Sequence, residues 1–131
     1  MNEVFEFLNE CGVFFVSTVD GEQPRVRPFS FVMEYEDKLC FATNNKKPFY
    51  AQLMTNPNIE ISAATKDGRW LRMSGKAVFC TKKEAKSQAL DIMPALKHMY
   101  SVEDEIFEIF YLENALANFY SMNGDNKTIN L

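Results

Sequence analysis

The chain has 131 residues, a formal net charge of -4 and a pI near 5.0. Its 14 Lys and Arg are outnumbered by 18 Asp and Glu, which excludes the continuous basic face of a generic nucleic-acid binder and makes any anion site local. At 47% hydrophobic, 14% aromatic and 24% charged residues it reads as a globular protein of a single domain, residues 1–131, with a core built on its 12 phenylalanines.

No run of roughly 18 uncharged apolar residues is present, so no membrane span is expected. The start "MNEVFEFLNECG" carries acids where a signal peptide carries cations, which implies a cytoplasmic location. Cys11, Cys40 and Cys80 are odd in number and lack paired spacing, as expected of reduced core thiols. His98 is the only histidine, which excludes a multi-histidine metal centre.

In chain order, Val4, Phe5 and Leu8 have helical spacing over residues 2–10, and Gly12 follows as a stop. "VFFVSTV" (13–19), "RVRPFSFVMEY" (25–35) and "KLCFAT" (38–43) read as three strands of a meander. "IEISAAT" (59–65) and "RWLRMSGKAVFC" (69–80) flank an Asp-Gly turn and form a hairpin. "KKEAKSQALDIMPALKHMY" has helical composition interrupted by Pro94. "EIFEIFYL" and "ALANFYSM" flank Glu113 and Asn114 and read as a last hairpin, before a polar tail free to fray or to reach over a partner subunit. About six or seven mostly antiparallel strands with few helices make the fold class mainly β, a barrel or a strongly curved sheet.

The stretch "ATNNKKPFYAQLMTNP" (42–57) sits between the third and fourth strands. Pro48 suits a first helical turn, because its missing N–H would be unpaired there anyway. Phe49 with Leu53 and Tyr50 with Met54 make an apolar face, Lys46, Lys47 and Gln52 point elsewhere, and Asn56 and Pro57 end the helix. Lysines are mildly unfavourable at a helix N-terminus unless an anion offsets them. The free N–H groups there carry about half a positive charge, so the two lysines and the helix start form a phosphate-sized site; a hydrated loop is the alternative.

In "PRVRPFSF" alternation places Arg25, Arg27, Phe29 and Phe31 on one side and Val26, Ser30 and Val32 on the other. Arg27 shares a face with large rings, where a guanidinium either reaches the rim or meets an anion. Pro28 marks an edge or bulge at which a ligand can approach the backbone.

The order "RVRPF", a strand ending "FATN", a lysine-led helix ending "NPN", then "RWLRMSGKA", resembles the pyridoxamine 5'-phosphate oxidase-like flavoproteins, in particular their short, uncharacterised branch. The resemblance implies a split β-barrel of antiparallel Greek-key type and a homodimer with FMN at the subunit interface. It implies that Arg27, with Pro28 and Phe29 beside it, contacts the phosphate or ring edge. Thr43 and Asn44 would line the ribityl and phosphate region, and Lys47, helped by Lys46, would bind the phosphate. Trp70 and Arg72 of the second subunit would meet the ring, and alternation puts them on one face with Ser74. The vitamin-processing oxidases place their basic pair further along, where this chain has Pro48 and Phe49, and carry a basic C-terminal substrate motif where this chain has "SMNGDNKTINL".

A flavin supplies the redox chemistry itself, so no nucleophile or general base is required of the chain. The implied function is electron transfer from NAD(P)H through FMN to a small acceptor. A flavin store or sensor without turnover, or the same barrel holding deazaflavin or haem, are the alternatives; for haem only His98 offers an axial histidine.

Overall fold

The structure is a computed structural model, and residues 2–131 are described. Helix α1 (Asn2–Cys11) ends at Gly12, whose φ of 79° is open to glycine at little cost. Next come β1 (Phe14–Asp20), β2 (Gln23–Phe29), β3 (Met33–Tyr35), β4 (Lys38–Asn44), helix α2 (Pro48–Thr55), β5 (Asn58–Ala64) and β6 (Arg69–Phe79). Helix α3 (Lys83–Ile92), a 3-10 helix (Pro94–His98), β7 (Phe107–Ser121) and β8 (Asn126–Asn130) complete the order.

All described strands join one antiparallel, open barrel-like sheet in the order β2-β1-β5-β6-β7-β4-β3, with β8 added to β7. The expected 25–35 strand is two strands: β2 pairs with β1 and β3 pairs with β4, and the chain breaks between them at Ser30–Val32. Phe31 and Val32 are both buried, so the period-two alternation stops at Phe29. Both pairings of the expected meander exist, but the break sends them to opposite ends of the sheet path.

The expected hairpin around Glu113 and Asn114 is instead a bulge within the continuous β7. Asn114 has φ 55°, and the register against β6 shifts between Ser74 and Lys76. The extra residue bends the long strand without reversing it. The true last hairpin is β7–β8, turning at Gly124 (φ 89°) and pairing Leu116–Tyr120 with the tail that the sequence leaves free.

Inward residues of β1, β4, β5, β6 and β7 close over Phe14, Phe41, Ile61, Leu71 and Phe110, all fully buried. Phe41 stacks on Phe110 at 5.4 Å, and Phe29 and Phe49 pack beside them. Burying such rings contributes about 2–3 kcal/mol each, so this cluster dominates cohesion. A second cluster under α3 gathers Met33, Cys40, Ala85, Ala89, Phe107 and Ile109. The three cysteines are free thiols, Cys40 buried and the others half-buried.

Candidate functional site

Helix α2 runs from Pro48 at its first position, with Lys47 as an extended N-cap (φ -81°, ψ 149°) that provides no side-chain acceptor. Its first turn therefore presents backbone donors and positive dipole without an internal cap. Phe49 and Leu53 are buried as expected, but Met54 is 55% exposed and does not join the apolar face. Gln52 turns inward, contrary to expectation, and its Oε1 accepts from Arg27 Nη2 at 2.8 Å and from the Thr18 hydroxyl.

Arg27, Phe29 and Lys47 meet at one cleft of about 420 Å³, with Pro28 at its rim and Thr43 in its wall. Arg27 faces inward because it pairs with the fully buried Val16 across the β1–β2 ladder. Its Nη1 donates to Thr18 Oγ1 (2.8 Å) and Val16 O (3.2 Å), and its guanidinium lies 4.8 Å from the centre of the Phe49 ring. No carboxylate pairs with it among the described residues. Burial first, then the charge of Arg25, lowers its pKa from the ordinary value. The result is a fixed cation without a paired carboxylate among the described residues, its Nη groups held by Thr18, the Val16 carbonyl and Gln52.

Thr43 is 4% exposed, and its Oγ1 is buried with no hydrogen-bond partner. Buried hydroxyls are almost always paired, since an unmade bond costs about 1–3 kcal/mol. An orphaned hydroxyl beside an uncapped helix start and two cations is what a polar, anionic ligand would complete.

Asn44 and Lys46 are not brought to the cleft surface as expected. The Asn44 side chain accepts from the Lys46 N–H (3.0 Å) and donates to Tyr100 Oη (2.6 Å), so it holds the loop and the Tyr100 ring in place. Lys46 is exposed and lies outside the lining. Trp70 and Arg72 are far around the barrel on the outer face of β6, opposite the buried Leu71 and Met73, as alternation requires. Trp70 stacks on Tyr120 (5.4 Å, 16°), and Arg72 lies over Tyr120 and donates to its hydroxyl at 2.9 Å. The Tyr120 hydroxyl raises the Arg72 pKa.

The sequence reading misses the far wall of the cleft, which is Leu96 of the 3-10 helix with Met93, Met99 and Tyr100 flanking it. Its signal is the Met-Pro step at 93–94, which forces a tight 3-10 turn and turns an apolar edge toward β4. Tyr100 stacks on Phe107 at 4.6 Å and 14°. His98 is exposed and does not line the cleft. The loop that follows, residues 101–106, is anchored by the buried Lys86, whose ammonium donates to Asp104 O at 2.7 Å and meets its carboxylate at 3.4 Å.

The model of the pyridoxamine 5'-phosphate oxidase family matches residues 1–114. The chain is similar to a NimC/NimA family protein from Clostridium acetobutylicum, with 44% identity, 100% of this chain and 92% of that one covered, and a TM-score of 0.95. At 15% identity the General Stress Protein 26 of Bacillus anthracis covers 98% of this chain and 97% of its own, with a TM-score of 0.75. A heme binding protein from Mycobacterium smegmatis, 14% identical, covers 95% of this chain and 55% of its own with a TM-score of 0.73. These last two share the fold. No curated protein matches the chain. The match over residues 1–114, on a split barrel whose cleft lies between β2, β4 and the start of α2, makes the chain a member of the pyridoxamine 5'-phosphate oxidase-like family.

Proposed function

We propose that the chain binds FMN in the cleft between β2, β4 and α2 and acts as an FMN-dependent oxidoreductase that passes electrons from NAD(P)H to a small acceptor. The observation that carries this reading is the orphaned Thr43 hydroxyl beside the uncapped α2 start and Lys47. The FMN phosphate supplies the missing acceptor and the missing negative charge. Lys47 and the α2 N-terminus hold the phosphate, the Thr43 hydroxyl donates to it, and Arg27, clamped by Thr18 and Gln52, biases the cleft toward anions. Bound FMN supplies hydride acceptance and electron release, and the chain orients it and tunes its charge.

The outer sheet face supports a second copy as the partner. Phe15 (48% exposed), Ser62 and Arg72 share one row across β1, β5 and β6, with Val26 (67% exposed) and Trp70 close by. Exposed rings and aliphatic groups on a sheet face favour burial against another protein surface. In such a homodimer Trp70 and Arg72 would lie against the partner's FMN.

Purified protein carrying the absorbance bands of oxidised flavin, bleached anaerobically by NADH or NADPH, is the expected result. A colourless protein that takes up no FMN overturns the reading. Flavin uptake without bleaching reduces it to a flavin store or sensor.

A further inference from the structure

We infer that the 3-10 wall selects an uncharged, apolar ring with a hydrogen-bond-accepting oxygen, of the quinone type, and rejects phosphorylated substrates. This inference rests on the FMN reading above. The cleft has two chemically different ends. One carries Arg27, Lys47 and the α2 start, and the other carries Met93, Leu96, Met99 and Tyr100. At the second end no cation faces the cleft among the described residues, since Lys97 points away to Asp91 (3.9 Å) and His98 is outside the lining. If FMN takes the cationic end, nothing remains to neutralise a second phosphate, and a doubly charged group set against thioethers and Leu96 would be poorly solvated. Thioethers and a flat tyrosine instead suit a polarisable ring.

Tyr100 adds one directed polar group. Its oxygen already accepts from Asn44 Nδ2, and among the described residues its own O–H donates to no partner. A carbonyl on the incoming ring would be its acceptor. Met99 is 62% exposed, so this wall can be altered at its rim without unfolding the protein.

The test measures dissociation constants by calorimetry for menadione, an uncharged quinone, and for pyridoxine 5'-phosphate. Menadione is titrated into flavin-free and FMN-loaded protein, and pyridoxine 5'-phosphate into FMN-loaded protein. On loaded protein menadione should bind at least about tenfold more tightly. Met99→Lys should weaken menadione about tenfold in both forms, and Tyr100→Phe by about threefold or more. Circular dichroism should show both variants folded; if Tyr100→Phe does not fold, Met99→Lys decides alone. Equal affinity for the two ligands, or a Met99→Lys protein that keeps wild-type menadione affinity, overturns the inference. A chain that takes up no FMN defeats the cofactor reading instead, while the menadione result on flavin-free protein still judges the wall.

Discussion

Arg27 on β2 donates through Nη2 to Gln52 Oε1 on α2 at 2.8 Å, and this bond fastens the edge strand of the sheet to the helix whose start faces the cleft. Because the acceptor is a neutral amide, the guanidinium keeps its charge uncancelled. Gln52→Glu should preserve the geometry, pair the cation, leave thermal stability equal or higher, and weaken FMN about tenfold. Unfolding midpoints and flavin titrations on the same sample check both halves. A variant with unchanged FMN affinity would show that the Arg27 charge plays no part in binding.

Thr43→Val separates ligand function from packing. Removing an unpaired buried hydroxyl should leave the flavin-free protein as stable, or more stable by about 1 kcal/mol. FMN affinity should fall about fivefold or more, measured by fluorescence quenching. If the flavin-free protein is clearly destabilised, Thr43 has an internal partner and its ligand role fails.

Acid should loosen the loop between the 3-10 helix and β7. Burial alone would raise the Asp104 carboxyl, but the N–H groups of Phe107, Ser101 and Ile106 together with Lys86 outweigh it and hold the pKa at about 2. A folded pKa below the unfolded value of about 3.9 means that the stabilisation is fully present above that value and drains away as pH falls toward about 2. Denaturant midpoints of Asp104→Asn should therefore vary less than wild type across this window. Asp104→Ala leaves the buried Lys86 ammonium its bond to the residue-104 carbonyl but removes its counter-charge and the carboxylate that accepts from the Ser101, Ile106 and Phe107 N–H groups, and should cost about 3 kcal/mol at neutral pH.

The β7 bulge gives a further stability prediction. Asn114 has φ 55°, and a Cβ added at Gly75 opposite would come within 3.0 Å of Leu112 Cβ and 3.2 Å of Glu113 O. Asn114→Val should destabilise by about 1–2 kcal/mol and Asn114→Gly should be tolerated. Equal midpoints for the two variants would contradict the bulge.

The sequence made legible those parts in which one local rule acts without competition. Pro48 at a first helical turn, the Asp-Gly hairpin of β5 and β6, and the outward Trp70 and Arg72 all follow from such rules. Asn114 shows the limit: a left-handed Asn marks a turn or a bulge equally well, and only pairing across fifteen residues of β7 decides. Gln52 shows another: a polar residue on a helix is assigned to solvent until its partner on another strand is known. The family resemblance placed Arg27, Thr43 and Lys47 at one cleft, whereas Asn44 turned out to brace Tyr100.

FMN dissociation constants for wild type, Lys47→Ala and Lys46→Ala, titrated by flavin fluorescence, show whether the α2 start holds the phosphate. Lys47→Ala should bind about tenfold more weakly, while Lys46→Ala, outside the cleft lining, stays within about twofold. A folded Lys47→Ala protein with wild-type FMN affinity, or a wild type that binds no FMN, would rule out a phosphate site at Lys47.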